Sequence, residues 1–280
     1  MSQIHVGCEL EYATTGQTSF LFNVNVSQTD CQSVLSENLT ITPSVFAERL
    51  EIGLERKISQ RFVVPPGGIC LRYDATVELS AEVDFGTTLV EHPYFELPPE
   101  VLPYLNPSRY CESDLLGNFS MREFGSCPLG FSRVRSICDW TYNNLVYISG
   151  STNSQTTARD VFVQRQGVCR DFAHIAIALC RGLGIPARYV CGYAAELQPP
   201  DFHGFFEAYL GGRWYLFDPT RLAPISGFVR IATGQDAADV PFATFIGNAQ
   251  LKSKKVWANR ATNSIAPPLL SDQMAVSTAS

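Results

Sequence analysis

Cys169 stands in Gly167-Val168-Cys169-Arg170-Asp171-Phe172, directly before a strongly apolar stretch. A cysteine at the start of a buried helix meets unpaired backbone N–H groups and the positive end of the helix dipole, and both favour the thiolate. His203 follows in Asp201-Phe202-His203, and Asp218 in Trp214-Tyr215-Leu216-Phe217-Asp218-Pro219. Cys, His and Asp in that order suit a nucleophile, its base and the group that orients the base, which is the chemistry of acyl transfer through a thioester. Close-set Cys/His ligands, a Gly-rich phosphate loop and a G-x-S-x-G elbow are all lacking, so neither a metal nor a cofactor is expected.

The three residues can act only if the chain brings them together. Leu210-Gly211-Gly212-Arg213 has the form of a two-residue hairpin turn. Residue 210 then pairs with 213, Asp218 lies opposite Phe205, and His203 opposite Thr220. His203 and Asp218 become diagonal neighbours on one face, roughly 5.5–8 Å apart at the backbone. A three-residue turn would send them to opposite faces. Glu207 shares the face of His203 and is the rival carboxylate, although a structural ion pair suits it better. His174 lies about 140° round the helix from Cys169 and is expected in the core or an interface. Arg170 and Asp171 are expected to form a local salt bridge, His5 and His92 to lie on the surface, and Asp236 and Asp239 to serve loops or caps.

The elements that must position these groups fall into two regimes. In the first ninety residues apolar positions alternate: Ile4, Val6, Cys8, Leu10 and Tyr12; Phe20, Phe22, Val24 and Val26; Ile69 to Leu79 after Pro65-Pro66-Gly67-Gly68. Period two with one wet face marks antiparallel sheet, and several such strands suggest a β-sandwich over residues 1–97. Five prolines between Pro93 and Pro107 resist helix and central strand and mark a crossing, with a linker and short helix over 98–124. An α+β core is expected over 125–255. It comprises a helix on Phe131, Val134, Ile137, Thr141 and Leu145, a capped helix opening at Thr157 and running to Gly167, and a buried helix from Cys169 to about Gly182. Strands over 187–195, 203–210 and 213–217 complete it. Residues 256–280 lack a clear period and are expected to form a loose tail.

The chain has 280 residues, is 45% hydrophobic and 17% charged, and carries a net charge of −6. This is the composition of a globular protein with ample core. Without a basic run, nucleic acid and anionic membrane are poor partners. No secretory pattern opens the sequence and no apolar run reaches the ~18 residues of a span. Nine cysteines without a C-x-x-C pair then read as mostly free thiols in a reducing cytoplasm. The oligomeric state is not legible.

Gly167 to His174, Gly184-Ile185-Pro186-Ala187-Arg188-Tyr189-Val190, and Asp201-Phe202-His203 through Gly211-Gly212-Arg213-Trp214-Tyr215 to Phe217-Asp218-Pro219 together resemble the core of bacterial transglutaminase-like proteins. The β-rich front resembles the N-terminal sandwich often joined to that core. The resemblance implies a papain-like α+β core with Cys169 as nucleophile, His203 as general base and acid, and Asp218 as the orienting carboxylate. It also implies a peptide or protein amide as substrate, with a peptidase or amidase favoured. A transglutaminase, a thiol acyltransferase and a silent binding protein on the same fold are the alternatives. The family commonly has Ala-Trp after the His. Here Gly204-Phe205 follows, and a smaller aromatic beside the base is expected to widen the cleft or shift its substrate without removing a catalytic group.

Overall fold

A computed structural model describes residues 2–53, 55–261 and 273–279. The front of the chain forms β1 (Ser2–Thr14), β2 (Thr18–Phe22), β3 (Gln32–Thr42), β4 (Glu48–Ile52), β5 (Lys57–Val64), β6 (Ile69–Leu79) and the short β7 (Glu82–Phe85). Ile4, Val6, Cys8 and Leu10 of β1 are fully buried and, except at the buried Gly7, alternate with wetter positions, as period two requires. Prolines and short 3₁₀ turns carry the chain from residue 86 to 106. Then come α1 (Ser113–Phe124), α2 (Phe131–Asn144), β8 (Val146–Tyr147), α3 (Ala158–Gln164), β9 (Gln166–Gly167) and α4 (Cys169–Arg181). The helix expected from Thr157 does open on a capping box of Thr157 and Asp160, but it ends at Gln164, where Arg165 turns left-handed.

Four antiparallel strands follow: β10 (Ala187–Ala194), β11 (Phe202–Leu210), β12 (Arg213–Phe217) and β13 (Phe228–Gly234), in the order β12-β11-β10-β13. α4 packs on β10 and β11, with α1, α2 and α3 around it. Residues 172–180 of α4 are all buried. Phe172, Ile175, Ile177 and Leu179 each contribute on the order of 1.5–3 kcal/mol by leaving water. The helix stops before Gly184, whose φ of 79° breaks the right-handed run.

The remaining strands return to the front. β14 (Ala243–Ile246) pairs with β2, and β15 (Ala249–Arg260) runs along β1. The front therefore holds two four-stranded sheets, β15-β1-β6-β3 and β14-β2-β5-β4, sharing one apolar interior. Gly7 is needed where β1 lies between β15 and β6, opposite Trp257, because a Cβ there would lie 2.2 Å from the Tyr73 carbonyl oxygen and 2.5 Å from the Trp257 ring. β16 (Met274–Ser277) pairs with β7, and Ala275 to Ser277 are buried. The expectation of a core to 255 and a loose tail from 256 therefore fails at both ends of that segment. Residues 249–260 form the edge strand beside β1, and 274–277 are packed against β7, pairings with distant strands that local periodicity does not reveal. Positions 262–272 of the expected tail lie outside the described residues. The whole is an α+β protein with an antiparallel β-sandwich in front. The two parts touch through bonds such as that from the Tyr193 hydroxyl to the Val24 carbonyl, 2.8 Å.

Candidate active site

α4 begins at Cys169. Asp171 holds its first turn: Oδ2 accepts the Val168 N–H at 2.9 Å and the Thr152 hydroxyl at 2.5 Å. The expected Arg170–Asp171 pair is present at 3.3 Å. Cys169, half-buried, is thereby aimed at β11 from the helix N-terminus.

The hairpin follows the two-residue register. Leu210 faces Arg213 and Phe206 faces Phe217. Gly211 and Gly212, with φ of 56° and 87°, provide the left-handed pair that a type I′ turn needs. Asp218 therefore arrives on the face of His203, and its Oδ2 lies 2.9 Å from His203 Nε2. Both side chains are about 1% exposed. An ionised carboxylate only accepts, so Nε2 carries the proton. Asp218 Oδ1 is filled by the Thr220 N–H at 2.9 Å and the Thr220 hydroxyl at 2.7 Å. With Nε2 committed to Asp218, Nδ1 is the ring nitrogen left for the Cys169 thiol, which is hydrogen-bonded to His203.

The electrostatics follow from these contacts. Burial opposes a charged imidazole, but the Asp218 carboxylate and then Cys169 outweigh it and lift the His203 pKa to about 10. Burial likewise opposes a thiolate. The bond to His203, its charge and the Gly204 N–H outweigh burial, and the Cys169 pKa falls below that of an ordinary thiol. Burial pushes Cys8, Cys111 and Cys191 up to about 12. The arrangement shifts the pair towards a thiolate beside an imidazolium, a charge state suited to attack on a carbonyl carbon followed by protonation of the leaving group.

The other candidates lie elsewhere. Glu207 is fully buried and its carboxylate is taken by Arg188, 2.7 Å from Oε2, and by Arg230. Burial would raise its pKa, but the two guanidiniums hold it at about 2. His174 is fully buried and accepts the Ala237 N–H at 3.1 Å, with its ring stacked on Tyr110 at 5.1 Å. Burial, then Arg170, keeps its pKa well below the ordinary value. His5 is exposed, 3.6 Å from Asp74. His92 is half-buried against Tyr209, ring centres 5.7 Å apart, rather than at the surface. Asp236 caps the Tyr110 and Ala238 N–H groups and Asp239 that of Gln235, while Ala237 between them lines the cleft. Among the described residues no group of three or more His, Cys, Asp or Glu is placed to hold a metal ion.

A cleft of about 350 Å³ opens at Cys169 and His203, walled by Tyr110, Tyr189, Phe202 and Phe242, with Lys254 and Asp201 in its lining. Phe202 and Phe242 stack at 5.1 Å. Phe242 and Lys254 come from the segments returning to the front sheets, so local patterns around Cys169 could not find them. Phe205 does not reach this wall. It lies on the same face as His203, its ring 6.3 Å from the imidazole and 4.4 Å from Phe228, but it is buried behind them, so the expectation that it widens the cleft is corrected. Gly204 is the consequential departure. A Cβ there would lie 2.3 Å from the Tyr189 hydroxyl oxygen, and Tyr189 lines the cleft. Tyr147 was also hidden in the sequence. Its hydroxyl accepts the Cys169 backbone N–H and donates to the Cys169 sulfur. The two-residue strand that carries it is too short to show a period.

Comparison with known proteins agrees with this architecture. Residues 121–219 match the family described as transglutaminase-like superfamily, and residues 2–99 match the bacterial transglutaminase N-terminal domain. A crystal structure of a candidate cysteine protease from Cytophaga hutchinsonii superposes with a TM-score of 0.95 at 41% identity, covering 99% of this chain and 97% of that one. An uncharacterised protein of Mycobacterium leprae is 34% identical over 110 residues, and one of Mycobacterium tuberculosis is 34% identical over 123 residues. These matches cover 36% and 39% of this chain, and in each case only 39% of the relative's own length.

Proposed function

Because the chain belongs to the transglutaminase-like superfamily, we propose that it is a thiol acyl-transfer enzyme that cleaves an amide bond of a peptide or protein, acting as a cysteine peptidase or amidase. The observation that carries this is His203, hydrogen-bonded on one side to Asp218 and on the other to the Cys169 thiol. The Cys169 thiolate attacks the amide carbonyl. The electron pair moves onto oxygen, beside the Cys169 backbone N–H. The intermediate collapses as the His203 imidazolium gives its proton to the leaving amine, and a thioester remains. Water, deprotonated by His203, releases the acid. The Asp218 carboxylate holds the ring throughout.

A primary amine in place of water would give transamidation. Hydrolysis is the preferred outcome because water reaches a cleft that is open at Cys169, and because the 41%-identical structure is named as a candidate cysteine protease. A cytoplasmic setting suits the nine cysteines, all of them free, and among the described residues no helix is long and apolar enough to cross a membrane. A screen of quenched peptides and isopeptides, with and without a primary amine, tests the proposal. Turnover that disappears in Cys169→Ala supports it. Turnover that survives unchanged in that variant ends it. Iodoacetamide at neutral pH should modify Cys169 ahead of the other eight thiols, whereas a silent binder would show no such preference.

A further inference from the structure

An oxyanion formed on Cys169 meets one clear donor, the Cys169 backbone N–H, and a hole of this kind normally presents a second. We propose that the Tyr147 hydroxyl is that second donor, a catalytic residue supplied by the two-residue strand β8. This role presupposes Cys169 as nucleophile and so rests on the function proposed above.

The placement is specific. β8 runs parallel to β9, with Tyr147 opposite Gly167, two positions before Cys169. The Val146 N–H bonds the Arg165 carbonyl at 2.9 Å and the Ile148 N–H the Gly167 carbonyl at 3.0 Å. The backbone on both sides of Tyr147 is thus tied to the strand that leads into α4. Its ring rests against Phe172 of the first turn, 5.9 Å between centres. Its hydroxyl reaches both the N–H and the sulfur of Cys169. The oxygen of a tetrahedral intermediate must also lie beside these two atoms, because its carbon is bonded to the sulfur and its charge is met by the N–H. The hydroxyl therefore marks the oxyanion position.

A substrate carbonyl oxygen entering there takes over the N–H. The phenol retreats and turns the proton it was giving to sulfur onto the new oxygen. Tyr147 is 43% exposed, so its ring has open space on one side into which to move. In the chemical step the S–C bond forms and the C=O π pair becomes the oxyanion lone pair, held by the N–H and the phenol O–H. No proton leaves the tyrosine. When the C–N bond breaks, the amine takes its proton from His203. Burial, then the charge of the neighbouring thiolate, lifts the Tyr147 pKa to about 12, so the phenol remains a neutral donor at physiological pH.

Two electrophiles separate this role from its rivals. p-Nitrophenyl acetate acylates a thiolate through an oxyanion, whereas iodoacetamide alkylates it by displacement at a saturated carbon and forms none. Both rates are measured at Cys169 by peptide mass spectrometry, over a pH series so that thiolate fractions can be matched. In Tyr147→Phe, acylation should fall by about tenfold to a hundredfold, the scale on which an oxyanion donor counts, while alkylation stays within about threefold. Alkylation that still favours Cys169 over the other eight thiols, with an unchanged melting temperature, also shows that the variant is folded. Equal losses in both reactions would mean that the phenol acts only through the thiolate, and an unchanged or faster acylation would mean that it is a bystander or a plug. Either result overturns the proposal. A wild-type chain whose Cys169 is alkylated no faster than its other thiols defeats the acyl-transfer function itself, and the tyrosine's role with it.

Discussion

Asp218→Asn removes the charge beside His203 while nearly keeping the shape. The carboxylate now accepts three bonds: His203 Nε2–H at 2.9 Å, the Thr220 N–H at 2.9 Å and the Thr220 hydroxyl at 2.7 Å. A carboxamide has a single oxygen. If that oxygen stays with Thr220, its NH₂ faces the ring and forces the proton to Nδ1, towards the sulfur. If it faces the ring instead, the Thr220 donors lose their partner. In either case the imidazolium loses a charge-assisted bond worth about 1.5–3 kcal/mol, which is about one to two pKa units. The His203 pKa, held at about 10 in the native protein, should fall to roughly 8–9 by that conversion. The chain has four histidines, so ¹⁵N-histidine NMR across a pH series can follow the ring directly, without a substrate. The sign of the stability effect is also set. A folded-state pKa above the unfolded value of about 6.5 adds stability that is complete below that pH and is lost as pH rises through about 10. The gap in unfolding free energy between wild type and variant should therefore be widest below about pH 6.5 and narrow towards pH 10. A His203 titration that does not move, or a gap that widens with pH, would refute this account of the pair.

Cys169→Ala should abolish turnover, and His203→Ala should cost nearly as much because the two act as a unit. Both are read by kinetics on proteins whose thermal melting has been checked. Glu207→Ala leaves the buried Arg230 without a carboxylate and Arg188 with Glu55 alone, 3.0 Å away, and should cost about 3–5 kcal/mol in urea unfolding, with activity per folded molecule retained within about threefold. A comparable loss of activity without loss of stability would instead give Glu207 a catalytic role. Gly204→Ala forces a methyl against the Tyr189 hydroxyl, 2.3 Å away, and should cost about 1–3 kcal/mol. Tyr189→Phe in the same chain should recover most of that loss, and no recovery would place the strain elsewhere.

The α4 helix, the β11–β12 hairpin and the His203–Asp218 contact were legible because each is a local matter. A run of apolar residues closed by Gly182 and Gly184 defines the helix. Gly211-Gly212 admits the left-handed turn that sets the pairing, and once that register is set, side-chain alternation leaves His203 and Asp218 on one face. The alternation of β1, β2 and β6 was equally plain, since each strand carries its own buried face.

What the tertiary structure decided was the company these elements keep. Whether β15 pairs with β1, and so brings Lys254 to the cleft, depends on sheet edges left open more than two hundred residues away. Phe242 reaches the wall because β14 returns to β2. Tyr147 reaches Cys169 through a parallel pairing only two residues long. The contrast between Phe205, buried behind His203 against Phe228, and Gly204, pressed by Tyr189, arises from packing across strands. Such contacts follow from the closing of long loops around a shared interior. Their free energy is collective, so no short stretch of chain carries their signature.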